Sequence, residues 1–209
     1  MNTTNVTINT HSSIRIAGSK VLYFDPFQIA TGSHDADFVF ITHSHYDHLD
    51  PASISKVSKA GTVFLAPAST EQEVRKTTGD AELILMEPGD TREIAGISVT
   101  AVPAYNRLKP FHPKRNSWNG YVVTMDGICY YVAGDTDAVN ELSSVKCDVA
   151  LVPIGGTYTM NAKDAAKLVN EIRPKVAIPT HYGSVVGKME DADTFRRYVD
   201  KEIVVETRL

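Results

Sequence analysis

The stretch Thr42-His43-Ser44-His45-Tyr46-Asp47-His48-Leu49-Asp50 carries more information about this chain than any other. Three imidazoles and a carboxylate fall within six residues, directly after the apolar run Phe38-Val39-Phe40-Ile41. A strand that ends in such a loop can direct all four side chains into one cavity. Neutral imidazole and carboxylate are the ligand types that suit zinc, manganese or iron. The spacing therefore predicts a metal site at the end of a buried strand.

The whole chain has the composition of an ordinary soluble protein. Its 209 residues predict a single domain, 1–209, with a substantial core. The net charge of −4 gives no global reason to expect nucleic-acid or membrane binding. No apolar run approaches the roughly 18 residues that span a bilayer, and the first residues do not resemble a signal peptide. We expect a cytoplasmic protein in which Cys129 and Cys147 are free, buried thiols.

The hydrophobic pattern predicts strands in the first two thirds of the chain and alternating strands and helices in the last third. The predicted strands cover residues 14–17, 21–24, 37–42, 62–66, 81–86, 91–94, 97–102, 120–125, 128–132, 149–153, 175–179 and 203–206. The predicted helices cover residues 51–59, 69–78, 162–172 and 191–198. Asp126-Gly127 is a strong signal for a two-residue hairpin turn. Pattern alone supports an α/β protein with mixed sheets.

The histidine run resembles the signature loop of the metallo-β-lactamase superfamily. That resemblance implies a four-layer αββα sandwich, in which two mixed β-sheets pack together with helices outside. It also implies that His43 and His45 bind one metal, and that Asp47 and His48 bind a second metal.

Two further stretches resemble the small-hydrolase branch of the same family, which includes the ascorbate-6-phosphate lactonase group. They are His11-Ser12-Ser13 with residues 21–26, and the loop at residues 152–160. The resemblance thus extends over nearly the whole chain and implies a small metal-dependent hydrolase.

The family pattern implies two more ligands at later strand ends. Asp135, after a glycine that permits a tight turn, matches the bridging carboxylate. His181 matches the last histidine and would complete the second metal site. Asp137 is interpreted as a helix cap. Asp25 is either an acceptor that orients a ligand imidazole or a turn residue.

The third histidine of the first metal site is missing from its expected place, where Asn106 stands. Asparagine is a weak, neutral oxygen donor for such a metal. Three alternatives are open. Asn106 binds weakly through its carbonyl oxygen, His112 swings back to the metal, or the first site is loose and His112 contacts the substrate or transfers protons.

The expected cofactor is a pair of divalent metal ions, with zinc as the first choice and manganese as the second. Two metals that share Asp135 would lie about 3.5–4 Å apart and hold a water between them. Metal binding lowers the pKa of that water to about 7, so that hydroxide can attack an ester. Asp47 and His112 are the candidate catalytic residues, with Asp47 orienting or deprotonating the water.

The segment from Tyr105 to Trp118 is basic and contains no acidic residue, although the chain is net acidic. It is either a solvated loop or a recognition site for an anionic group. The candidate substrate-binding residues are Asn106, Lys109, Lys114, Arg115 and Trp118. A small anionic ester, either a phosphodiester or a lactone, is the predicted substrate.

Two other functions compete with hydrolysis. The first is an iron-dependent oxidoreductase on the same fold, although His45 stands where flavodiiron-type members carry a glutamate. The second is a non-catalytic metal-binding module whose first metal site is impaired by Asn106. Nucleic-acid processing is disfavoured because the chain has no inserted domain or long basic arm.

Overall fold

The computed structural model describes residues 3–209, which form two β-sheets flanked by helices. The first sheet contains β1 (Val6–Thr10), β2 (Ser13–Ala17), β3 (Val21–Phe24), β4 (Ala36–Phe40), β5 (Ser58–Pro67) and β6 (Leu83–Met86), in that spatial order. Strands β1 to β3 pair antiparallel, whereas β3 to β6 pair parallel. The first sheet is therefore mixed, as predicted.

The second sheet is also mixed. It contains β7 (Thr91–Ile94), β8 (Ile97–Pro103), β9 (Asn119–Met125), β10 (Ile128–Val132), β11 (Val149–Pro153), β12 (Val176–Thr180) and β13 (Val204–Val205). Strands β7 to β10 pair antiparallel, and β10 to β13 pair parallel. The turn between β9 and β10 has positive φ at both Asp126 and Gly127, which is the hairpin geometry that this dipeptide favours.

Four α-helices accompany the sheets in the described chain: α1 (Pro51–Val57), α2 (Glu71–Thr78), α3 (Ala162–Ile172) and α4 (Asp191–Tyr198). Asp50 begins α1 by accepting a hydrogen bond from the Ala52 N–H, and Pro51 occupies its first turn. Asn161 caps α3 in the same way. Short 3₁₀ turns cover Ala68–Thr70, Lys114–Asn116 and Asn140–Ser144.

Three apolar clusters show how the layers pack. The central cluster draws buried side chains from both sheets, for example Phe40 of the first and Tyr121 of the second, whose rings lie 5.2 Å apart. A second cluster joins the outer face of the second sheet to α3 and α4, and a third joins the first sheet to α1 and α2. The αββα sandwich that the resemblance implied is therefore confirmed.

Element bounds agree closely with prediction where the apolar pattern is strong, as in β3, β10, β11, α3 and α4. The sequence missed β1, which alternates buried and exposed residues and contains only two large apolar side chains. Strand β5 begins four residues earlier than expected because Ser58 ends α1 and pairs with Ala36.

The structure also bears on the membrane and cysteine predictions. Among residues 3–209, no helix is long and apolar enough to cross a bilayer. Cys129 and Cys147 are free thiols, but both are half-buried, whereas the sequence predicted buried ones. Burial and the neighbouring Cys129 raise the pKa of the Cys147 thiol to about 12. A cytoplasmic location stays a prediction.

Candidate metal centre

Three strands, one from the first sheet and two from the second, deliver the candidate ligands to one edge of the sandwich. The histidine loop follows β4, Asp135 follows β10 and His181 follows β12. Strands β10 and β12 run parallel within the second sheet, so the loops that follow them lie on the same side. The contact of Asp135 with His48 places the loop after β4 beside them. Gly134 has φ of 63°, and a Cβ at that position would lie 3.0 Å from the Thr42 side chain. Glycine therefore lets the loop of Asp135 approach the histidine loop.

The first group of ligand atoms consists of His43, His45 and His112, whose nitrogens lie within 4.8 Å of one another. His43 Nε2 lies 3.0 Å from His45 Nδ1. The ring of His112 lies 5.0 Å from that of His43 and 4.9 Å from that of His45. The indole of Trp118 packs behind them, 4.8 Å from the His43 ring and with only 8% of its surface exposed. Of the three alternatives, this geometry favours His112 as the third ligand.

Asn106 supports His112 from behind. Its Oδ1 accepts a hydrogen bond from His112 Nδ1 at 3.0 Å, and its Nδ2 donates to the carbonyl of Tyr158. The backbone N–H of Asn106 also donates to the carbonyl of His112 at 2.7 Å, which closes the loop between them. Both side-chain polar atoms are thus engaged and the residue is 5% exposed. The predictions of metal ligation or substrate contact for Asn106 have no support in this geometry.

The second group consists of His11, Asp47, His48 and His181. His11 Nε2 lies 3.1 Å from Asp47 Oδ2, and the rings of His11 and His181 are 3.7 Å apart. The sequence analysis did not place His11 among the ligands. Its position in the opening His-Ser-Ser motif was the available signal.

Asp135 lies between the two groups. Its Oδ1 is 3.3 Å from His48 Nε2, whereas its Oδ2 is 3.1 Å from His181 Nε2 and 3.3 Å from His112 Nε2. One oxygen therefore faces a ligand of the second group, and the other faces ligands of both. This is the placement expected of a bridging carboxylate.

Asp25 orients His48. Its Oδ2 accepts from His48 Nδ1 at 2.7 Å and from the Thr42 hydroxyl at 2.7 Å, and its Oδ1 accepts from the Thr42 N–H. Since Asp25 holds a proton on Nδ1, the other ring nitrogen of His48, Nε2, faces Asp135 and is the atom that can bind a metal once its own proton leaves. Of the two interpretations of Asp25, the structure favours the one in which it orients a ligand imidazole.

Buried polar atoms at this centre lack hydrogen-bond partners within the described residues. They are His48 Nε2, His112 Nε2, His181 Nδ1 and Nε2, and Asp135 Oδ1. Buried nitrogen and oxygen atoms rarely stay unpaired in folded proteins, and each one costs about 1–3 kcal/mol. Imidazole nitrogens and a carboxylate oxygen facing one another are also the donors that zinc prefers. The residues present therefore fit a divalent metal.

The imidazoles and carboxylates shift each other's protonation. Burial would lower the pKa of His48, but the charges of Asp135 and Asp25 outweigh it and hold that pKa well above its usual value. Burial, reinforced by His48, lowers the pKa of His43 well below its usual value. Burial opposes ionisation of Asp47, yet the hydrogen bond from His11 and the nearby His48 lower its pKa to about 2. Asp47 is therefore ionised at neutral pH.

A cavity of about 310 Å³ opens over the centre. Its lining combines four of the candidate ligands with aromatic and apolar side chains: His45, Asp47, His112 and Asp135, together with Tyr46, Phe111, Tyr158 and Val185. The lining residues among 3–209 include no lysine or arginine. The cavity thus presents the ligands on its floor and apolar groups on its walls.

The basic loop is held by acidic residues outside the cavity. Lys109 Nζ donates to Asp137 Oδ1 and to the Thr159 carbonyl, each at 2.5 Å, and Lys114 Nζ donates to Glu141 at 2.7 Å. Asp137 is consequently a partner of this loop and not the helix cap that the sequence suggested. The structure does not bring Lys109, Lys114 or the exposed Arg115 to the cavity.

Comparison with known proteins agrees with this architecture. Residues 5–181 match the family model described as a beta-lactamase superfamily domain. A metal-dependent hydrolase of Thermococcus kodakarensis is 32% identical over 208 residues, covering 93% of this chain and 92% of the relative. One from Pyrococcus horikoshii is 33% identical over 212 residues, with the same coverage of both chains.

The crystal structure of a related protein has the same fold. A Parabacteroides distasonis protein assigned as a metal-dependent hydrolase superposes with a TM-score of 0.80 at 31% identity, covering 97% of this chain and 91% of that one. Sequence, fold and ligand set together place this chain in the metallo-β-lactamase superfamily, among its small metal-dependent hydrolases.

Proposed function

We propose that this chain hydrolyses a small ester or lactone at a centre of two divalent metal ions, with zinc as the first choice and manganese as the second. The observation that carries the proposal is Asp135, whose carboxylate lies between the two groups and faces ligand atoms of both. His43, His45 and His112 would hold one ion. Asp47, His48 and His181 would hold the other, with His11 beside them.

When bound, such ions lower the pKa of a coordinated water and polarise the scissile carbonyl. The protein's own groups supply orientation and proton handling. Asp47 is ionised, and its pKa of about 2 suits a carboxylate that binds a metal and orients a water by accepting a hydrogen bond, with its Oδ2 held by His11 Nε2, better than one that takes up a proton. Asn106 and Asp25 each hold a proton on Nδ1, of His112 and His48 respectively, so that both rings present Nε2 toward Asp135.

We choose a carboxylic ester over a phosphodiester because no lysine or arginine among the described residues lines the cavity. The prediction of an anionic substrate was based on the loop cations. Lys109 and Lys114 are paired with Asp137 and Glu141, and neither lines the cavity. Of the two predicted substrates, a lactone does not need a lysine or arginine to bind it, and we retain the lactone.

Two alternatives are weaker. The diiron β-hydroxylase CmlA of Streptomyces venezuelae has the same fold with a TM-score of 0.75, but at 14% identity this likeness concerns the fold alone. A non-catalytic module was suggested by Asn106, and the placement of His112 beside His43 and His45 argues against it.

Elemental analysis of protein purified without added metal or chelator tests the centre. We expect about two ions per chain, and activity on small aryl esters and lactones that zinc or manganese restores after chelation. Asp135→Asn should lower metal content and activity together. His34→Ala, which alters an exposed histidine away from the centre, should change neither. Stoichiometric iron with visible absorption and no esterase activity would point to the oxidoreductase.

A further inference from the structure

The walls of the metal cavity are apolar. Tyr46, Phe111 and Val185 line it and keep 68%, 42% and 40% of their surface exposed. Tyr158 completes the wall, with its ring 4.6 Å from that of Phe111 and nearly perpendicular to it. Large apolar side chains that stay exposed together in a concave site usually contact a ligand.

These wall residues lie next to the ligands in sequence as well as in space. Tyr46 stands between His45 and Asp47, and Phe111 directly precedes His112. The Tyr46 ring is further supported by Phe27, which is 6.0 Å away in an edge-to-face arrangement. The hydrogen bond between Asn106 N–H and the His112 carbonyl holds the segment that carries Phe111. The walls are thus fixed relative to the reacting centre.

Two cations of the segment that carries Phe111 are already engaged elsewhere. Lys109 contacts Asp137 and Thr159, and Arg107 Nη2 donates to Asn140 at 2.5 Å. An anionic substituent at the walls would therefore lose its hydration without gaining a lysine or arginine, because the metal ions lie on the floor of the cavity, at the bond that is cleaved. A hydrocarbon or aryl substituent would lose only unfavourable contact with water.

We propose that these walls bind an uncharged alkyl or aryl group of the substrate, next to the bond that is cleaved. This inference rests on the proposed function and narrows its substrate class to esters with an apolar acyl or aryl part. Each methylene group that enters such a site should increase kcat/KM by about fourfold, because burying one is worth about 0.8 kcal/mol. A cavity of about 310 Å³ accommodates a group of six to eight heavy atoms, on the order of a hexanoyl or benzoyl group.

The test compares substrates that share one scissile bond. On the zinc-loaded chain, we would measure kcat/KM for the p-nitrophenyl esters of acetate, hexanoate and monosuccinate. We expect hexanoate, which has four more methylene groups, to exceed acetate by about 200-fold and monosuccinate to fall below hexanoate by a similar factor. Phe111→Ala and Tyr158→Ala should each reduce the hexanoate preference by about tenfold or more. Leu108→Ala provides the control, because Leu108 is 97% exposed on the same segment but lies outside this cavity.

A binding measurement separates this inference from the proposed function. Acetohydroxamate and benzohydroxamate share a metal-binding head, so the ratio of their dissociation constants reports on the walls without turnover. Benzohydroxamate should bind at least tenfold more tightly, and Phe111→Ala should remove that difference. Tighter benzohydroxamate binding without hydrolysis of any ester would overturn the proposed function and leave the apolar walls supported.

The opposite results would overturn the inference. Hydrolysis with equal or inverted preference among the three esters would show that the walls do not bind an apolar group. So would a preference that Phe111→Ala and Tyr158→Ala leave intact. Sedimentation of the wild-type and Phe111→Ala proteins supplies the last check. A dimer that the substitution dissociates would mean that a second copy covers these side chains.

Discussion

Removing the Asn106 side chain should weaken one metal site and spare the other. In Asn106→Ala, His112 Nδ1 loses its acceptor at 3.0 Å, so the ring is free to change tautomer or rotate. Loss of a hydrogen-bond partner behind a ligand histidine typically costs 10- to 100-fold in metal affinity, or about 1.4–2.8 kcal/mol. His181 and His48 do not contact Asn106, so the second site should keep its affinity.

The same substitution should also lower stability, and this must be separated from metal affinity. The Tyr158 carbonyl loses its donor Asn106 Nδ2, which leaves a part-buried acceptor unpaired at a cost of about 1–3 kcal/mol. For a chain of this size, each kcal/mol lowers Tm by about 2–4 °C. Asn106→Asp separates the effects, because its carboxylate still accepts from His112 Nδ1 but cannot donate to Tyr158.

The assay is a competitive zinc titration of the metal-free protein against a chromophoric chelator, with Tm measured in parallel. We expect both zinc sites of Asn106→Asp to keep their wild-type affinity, and one of the two sites of Asn106→Ala to bind zinc more weakly. Both variants should have a lower Tm than the wild type. Asn170→Ala is the matched control: Asn170 also donates to a carbonyl, that of Tyr198, and accepts from the Asp200 N–H, far from the centre. Wild-type zinc affinity in Asn106→Ala, with only Tm reduced, would refute the assignment of His112 as an oriented ligand.

Three further predictions concern protonation, ligand orientation and the basic loop. Because the pKa of His48 is held well above its usual value, we expect the imidazole of His48 to be protonated in the metal-free protein at pH 7. Zinc binding should release this proton, and zinc affinity should fall as the pH decreases. Calorimetry in two buffers of different ionisation enthalpy measures the release, and buffer-independent heats would contradict the prediction. Asp25→Asn should weaken zinc binding by about 10- to 100-fold by equilibrium dialysis, because an amide can present its donor to His48. Lys109→Ala should lower Tm by removing the contacts to Asp137 and Thr159, and should leave KM for an anionic ester within about twofold; a tenfold increase would restore Lys109 as a substrate-binding residue.

The ligands that local sequence could identify are those that come directly after strands. The histidine loop ends β4, Asp135 stands three residues after β10, and His181 is the first residue after β12. A buried strand fixes the position and direction of the residues that come next, so a short motif at its end suffices. The same reasoning explains the correct bounds of α3, where Asn161 and a continuous apolar stripe mark both ends.

The role of His112 could not be read locally, because it lies in a long connection between β8 and β9. Its placement depends on hydrogen bonds from Asn106 and on packing against Trp118. The cations of that connection gave a misleading signal for a similar reason. Lys109 and Lys114 pair with Asp137 and Glu141, which are 28 and 27 residues further along the chain. Two of the four cations of the loop are therefore neutralised by acids that its own sequence does not reveal.

Ligands and cavity walls share the same short segments, and this limits how substrate specificity can change. Tyr46 is flanked by His45 and Asp47, and Phe111 adjoins His112. Any backbone shift that enlarged the walls would move ligands that must stay within a few tenths of an ångström of their positions. Side-chain size at Tyr46 and Phe111 can vary without such a shift, as can Val185, which has no ligand beside it. Specificity should therefore respond to substitutions of these side chains, whereas insertions in either segment should abolish metal binding before they alter substrate choice.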